Sequence, residues 1–312
     1  MGVNRVNKVA WLVRLIPVVG TLVIGVLLIQ HIDWKAAFSL LKTMDPMVLL
    51  FSCALALSEE LLVGPLKWKW VVAAVGLRLS FIEALIIRMG SQPIRSVAPL
   101  KSGEAASVLY LVRVHDMDTA TATSTVLFEK GVNLWATVAW MILGLIFIQS
   151  PWFALILALW VILPFIRGPW SSLSSFLSEN FGRVGTFAAG MLDAFLELPI
   201  KALILQLPMA LLFTGLEVFN AWLLLNALGA HVPVAAVMIV ISLSFFLNNI
   251  PVTVLGLGMR ESVVVAGLSA YALAPPLLAG GLALSVVEYL LPTLVGLFFL
   301  KTFLNRCMET QP

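Results

Sequence analysis

Two glycines precede an arginine–glutamate pair in the segment Ile250-Pro-Val-Thr-Val-Leu-Gly-Leu-Gly-Met-Arg-Glu261. Read as a break followed by a helix start, this spacing sets the backbone amides of Gly256 and Gly258 beside the guanidinium of Arg260. Helix-start amides and a guanidinium both bind oxyanions, phosphate above all. A second segment, Pro93-Ile-Arg-Ser-Val-Ala-Pro-Leu-Lys-Ser-Gly-Glu104, offers similar chemistry through Arg95, Lys101 and the turn before Gly103. One alternative stays open for both: Glu104 and Glu261 cap their helices, and the cations snorkel to the nearest polar surface.

Further charges stand inside long apolar runs: Glu60, Glu129 with Lys130, Glu217 and Glu288. In hydrocarbon such a side chain costs about 2.5–3.5 kcal/mol on insertion scales, so these groups must face one another or a wet cavity. Glu129 shares a helix face with Asn133, and Glu217 with Asn220. The carboxylates of Glu104, Glu129, Glu217 and Glu261, together with Lys130, are candidates for balancing charge or taking up protons. Structural pairing, for instance of Glu129 or Glu217 with Lys130 or Arg260, is the competing reading. Cys53 and Cys307 make no disulfide framework, and His31, His115 and His231 are scattered. With no HExxH or CxxC spacing, neither a metal nor a cofactor is expected. No Walker motif is present either, which argues against direct drive by ATP.

The elements that must position these residues follow from composition. Of 312 residues 61% are hydrophobic and 11% charged, with a mean hydropathy of +1.04. That balance belongs to an integral membrane protein, and long uninterrupted apolar segments predict helices rather than a barrel. The fold class is all-α and polytopic. Spans are expected at about Leu15–Gln30, Pro46–Leu66, Thr119–Gln149, from Pro151 to near Arg167, up to about Gly229, and Pro276–Leu300. The basic leader and apolar run at the start predict an uncleaved first helix. Interfacial helices are expected at about 33–43 and 171–200, and the Lys67–Trp70 run KWKW is expected to snorkel at a span end. The cations gather mostly on one side, so the positive-inside rule places both termini in the cytoplasm. Net charge is only +3, and no nucleic-acid partner is expected.

Residues 81–115 and 234–274 fit no simple span. In each, a short apolar helix leads into a Pro/Gly break and a second short helix. Twelve helical residues rise roughly 18 Å, against a hydrocarbon core of about 30 Å, so both segments read as re-entrant hairpins. The halves also match: Pro46–Ser52 resembles Pro208–Thr214, and Glu60 and Glu104 stand equally far from Glu217 and Glu261. This predicts one transmembrane domain over 1–312, built as an inverted repeat of span, hairpin and span, with halves of about 46–149 and 202–300.

Pro99-Leu-Lys-Ser-Gly-Glu104, Phe128-Glu-Lys-Gly-Val-Asn133 and Ile250–Glu261 occur in the order and spacing of one family. Over roughly residues 10–305 the chain resembles the lysylphosphatidylglycerol synthase/flippase transmembrane family. The resemblance implies a lipid translocase, since the family's transmembrane module moves aminoacylated phosphatidylglycerol between leaflets and relatives are linked to hopanoids and glycolipids. There are departures. Ala105, Ala106 and Ser107 stand where the family usually carries an arginine, and Glu129-Lys130 with Asn133 replace its Arg-Asp-like pairs. No soluble aminoacyl-transferase domain precedes Pro312, so synthesis of lysyl-lipid is not expected. The expectation is a non-enzymatic, flippase-like carrier of an anionic phospholipid or lipid-linked headgroup in a prokaryotic cytoplasmic membrane. Its partners would be the lipid, a second copy of the chain, or a separate lipid-synthesising enzyme. A small-solute or anion transporter and an accessory or intramembrane enzyme of lipid modification are the alternatives.

Overall fold

The computed structural model describes residues 34–98, 103–182, 185–186, 189–190, 192–193, 200–248 and 258–309. The first expected span, Lys101 and Gly256 lie outside the described residues. Within them every regular element is helical, and four helices are long and apolar enough to cross a membrane.

Short helix α1 (Trp34–Thr43) precedes the first of these, α2 (Pro46–Ala74). Pro46 takes the first helical turn, where its missing N–H costs nothing, and Asp45 accepts from the Met47 amide at 2.8 Å. A π-helical turn, Glu59–Val63, interrupts α2 midway. Ser80 caps α3 (Phe81–Val97), which is followed by α4 (Ala105–His115). Asp118 caps the second long span, α5 (Thr119–Ile148). Then come α6 (Phe153–Ile162), α7 (Arg167–Asn180) and the third long span, α8 (Ile200–Ala227). Two shorter helices, α9 (Val234–Asn248) and α10 (Met259–Leu268), lead to the fourth, α11 (Ala274–Glu309), which has its own π-helical turn at Val286–Leu290.

Length separates two kinds of helix. The 29 residues of α2 rise roughly 43 Å, more than the core of a bilayer, whereas the 17 of α3 rise roughly 25 Å and the 10 of α10 roughly 15 Å. The spans also turn large apolar side chains outward, Phe51, Phe147 and Leu212 among them, and Phe298 is 84% exposed. Such surfaces suit lipid.

Three expectations are corrected. The KWKW run ends no span: α2 continues to Ala74, and Lys67 is 0% exposed, held inside by a carboxylate rather than drawn to a surface. Pro93 does not break the chain either, because α3 runs through it to Val97. The Met89 carbonyl, which Pro93 leaves without its helical donor, instead faces Gly296 of α11. Finally, the span expected over 151–167 is not straight: α6 and a 3₁₀ turn end at Phe165, the chain bends by 81° into the helix over 170–180, and only together do the two pieces make a broken fifth span or a re-entrant loop.

The packing is reciprocal. α3 lies along the C-terminal half of α11, and α9 lies along α5, so the first short helix of each half packs on the last span of the other. α4 and α10 pack on the last span of their own half, and the opening spans α2 and α8 pack together. Both cross-half contacts depend on a glycine. A Cβ on Gly296 would sit 2.6 Å from the Met89 oxygen, and one on Gly144 would sit 2.7 Å from the Ala235 oxygen. Gly144→Val should therefore push α5 from α9 at a cost of about 1–3 kcal/mol. A lowered unfolding temperature of the detergent-solubilised protein would show it, while Gly190→Ala, which faces open space, should leave that temperature unlowered.

Candidate functional site

Arg88 is the first residue to consider, although nothing in its spacing singled it out. It projects from α3 between α2 and α5. Its Nε and Nη2 hold the two oxygens of Glu60 at 3.0 and 3.2 Å, and Nη1 holds Glu129 at 3.0 Å. Glu129 also lies 3.5 Å from the Lys67 ammonium, which donates to Asn133 as well. Phe213 presents its ring to both cations, 4.9 Å from Lys67 and 5.4 Å from Arg88. Gln206 of α8 ties the assembly down by donating to the Lys67 carbonyl at 2.9 Å.

The ion chain continues to the first break. Arg95 donates to the Arg88 carbonyl at 3.0 Å and stands 3.9 Å from Glu104, whose other oxygen takes Lys130 at 2.6 Å. Glu104 and Lys130, assigned to one site by sequence, are thus brought together. Burial pushes the Glu104 carboxyl up, but Lys130 and then Arg95 and Arg88 outweigh it and hold it at about 2. Its oxygens are thus engaged by the cations of both α3 and α5. Along this chain four cations meet three carboxylates, and Arg95 Nε is buried without a hydrogen-bond partner.

The second break is built differently. Gly258 caps α10 with φ of +81°, a left-handed conformation that glycine adopts freely. The expectation of a free Gly258 amide is corrected: it donates to Glu261 Oε2 at 2.7 Å, as a capping box requires. Glu261 Oε1 accepts from Ser285 at 2.5 Å, and Ser285 accepts from Arg260 Nη1 at 3.1 Å. Arg260 is 2% exposed and does not snorkel. Its guanidinium lies 3.8 Å over the Tyr289 ring, and the Tyr289 hydroxyl accepts from Asn248. Among the described residues no carboxylate reaches Arg260 within ion-pair distance, and Nε is buried without a hydrogen-bond partner. Nε and Nη2 share the side edge of the guanidinium, the fork that fits two oxygens of one oxyanion. On Arg88 the same fork is filled by Glu60; on Arg260 no group among the described residues fills it.

Between the two cation sites lie carboxylates with no cation of their own. Glu288 accepts from Asn220, which also pairs with Ser52. Glu59 Oε2 is buried without a partner. Glu217 has no hydrogen bond or ion pair among the described residues, yet it stands within electrostatic reach of Arg260 on one side and Lys67 on the other. Glu59 and Glu288 sit in the two π-helical turns, whose extra residue per turn redirects side chains and recurs at functional positions. No group of three or more His, Cys, Asp or Glu among the described residues could hold a metal ion.

Residues 13–296 match the family model described as the lysylphosphatidylglycerol synthase TM region. The chain belongs to that family. It is a membrane domain of the kind associated with modifying or flipping lipid, and the match spans every site residue just described. No curated protein is matched by the chain.

Arg88→Met should leave Glu60 buried without its cation, at a cost of about 3–5 kcal/mol. In the double variant with Glu60→Gln, Glu129 keeps Lys67 and most of that loss should return. Unfolding in detergent, followed by intrinsic tryptophan fluorescence, reads the difference.

Proposed function

We propose that this protein is a lipid translocase that carries an anionic phospholipid or lipid-linked headgroup between leaflets, with Arg260 as the phosphate contact. The observation that carries the reading is the side edge of Arg260, buried, backed by an aromatic ring, and without a protein oxyanion among the described residues. A buried guanidinium is tolerated at this depth only where something satisfies it, and a phosphodiester presents two oxygens at the right spacing. Membership of the lysylphosphatidylglycerol synthase TM family supports lipid over a soluble anion as the source of that phosphate.

The architecture supports the same reading. Short helices α3 with α4, and α9 with α10, act as re-entrant hairpins, and their reciprocal packing on α11 and α5 is what an inverted repeat would give. Rocking one half against the other opens the Arg260 site to each leaflet in turn while acyl chains stay in lipid. Arg95 supplies positive potential at the first break and Gly258 the left-handed turn at the second, while the roles expected for Lys101 and Gly256 lie outside the described residues. In this reading the protein is not itself an enzyme. It carries lipid made by a separate lipid-synthesising enzyme in a prokaryotic cytoplasmic membrane, with both termini in the cytoplasm.

The test uses phosphatidylcholine vesicles containing the purified protein and a trace of fluorescent phosphatidylglycerol, with a membrane-impermeant quencher added outside. Protein-dependent exposure of inner-leaflet probe is expected. Arg260→Ala should slow it at least about tenfold, the cost of one charge-assisted hydrogen bond or more, and Arg260→Lys should fall between. Undiminished movement in a folded Arg260→Ala variant would overturn the assignment. Arg260-dependent uptake of inorganic phosphate without lipid movement would replace it with soluble-anion transport.

A further inference from the structure

We infer that Glu59, Glu217 and Glu288 form a proton-binding site at the centre of the molecule, and that its occupancy is linked to that of the Arg260 anion site. The inference rests on the phosphate reading of Arg260. Its own footing is geometric. Glu288 is bound by a neutral amide alone, Glu217 by no described group, and Glu59 is 1% exposed with an unpartnered oxygen. Both Glu59 and Glu217 lie within electrostatic reach of Glu288.

Three carboxylates so placed resist being ionised together, because the desolvation of the buried Glu59 and Glu288 would be joined by the repulsion among all three. The surrounding charges do not remove the difficulty. Glu60, Lys67 and Cys53 face the group from α2, Arg88 from α3, Arg260 from α10 and Tyr289 from α11. Lys67 and Arg88 are already engaged by Glu129 and Glu60, and α9 carries no charged residue. Arg260 is therefore the one nearby cation among the described residues not held by a carboxylate. When a phosphate takes its fork, the positive field on the acidic group falls and proton affinity there rises. By linkage the proton favours the phosphate equally. Proton and anionic headgroup then cross together: each bound proton joins one carboxylate oxygen from one aqueous side and leaves to the other.

A gradient of one pH unit is worth a factor of ten for one coupled proton. In the phosphatidylglycerol vesicles, such a gradient should shift the steady-state leaflet ratio of the probe about tenfold toward the alkaline side. Glu59→Gln and Glu288→Gln, together, should return that ratio to unity while movement of the probe persists. In parallel, infrared difference spectra of the detergent-solubilised protein, with and without short-chain phosphatidylglycerol, should show a protonated-carboxyl band that the double variant loses. An even distribution in wild type under the gradient would overturn proton coupling and leave the translocase reading intact. A ratio that follows a sodium gradient instead would overturn it in favour of a metal cation. Absence of probe movement under every condition would defeat the translocase reading; the infrared band would still decide whether the carboxylates hold a proton.

Discussion

An ion inside hydrocarbon has to be neutralised by something other than water, and that requirement organises this structure. Arg88 meets it with two carboxylates, Lys67 with a third contact to one of them, and Lys130 with Glu104. Each of these pairs joins different helices, so satisfying the charges also fixes how α2, α3 and α5 stand against one another. A buried salt bridge adds little net stability over a well-packed apolar contact. What it adds is register, since α3 cannot slide by a turn along α2 without stranding both partners.

The same constraint sorts the polar interior into closed and open parts. In the closed part, between α2, α3 and α5, the guanidinium fork of Arg88 is matched by Glu60 oxygen for nitrogen. In the open part, between α10 and α11, the corresponding fork of Arg260 has no oxyanion among the described residues, and the carboxylates that could have served it, Glu217 and Glu288, lie apart from it. Leaving opposite charges near but unjoined in a low dielectric is unfavourable for the resting protein. It is also what a site for a transient anion requires, because a carboxylate already in the fork would compete with every incoming phosphate.

Much of the fold was legible because its signals are local. Pro46 behind Asp45, Asp118 before Thr119 and the apolar runs that follow mark the starts of two spans, and the structure begins α2 and α5 there. What sequence could not convey is partnership across helices. KWKW has the composition of an interfacial anchor, and only the approach of α5, bringing Glu129, makes Lys67 an interior residue. Pro93 has the local signature of a helix end, but a flat glycine surface on α11 accepts its ring and the carbonyl it orphans. Arg88 was missed for the converse reason. One cation among Ala84–Gly90 carries no motif, and the single available clue was its charge within an apolar run.

Glycine explains how so polar an interior can be packed tightly. Gly144 and Gly296 let α9 and α3 approach the last spans at backbone distance. This brings α3 onto α11, and α9 onto α5, each pair containing one element from either half. Further contacts join the halves, among them α2 with α8 and α5 with α8, where Trp140 donates to the Leu211 carbonyl. Ser52, Asn220 and Glu288 meet where α2, α8 and α11 come together, and Glu59 lies in the π-helical turn of α2. A hydrogen-bonded carboxylate cluster where three spans from both halves meet is an arrangement by which a change of charge can become a change of shape.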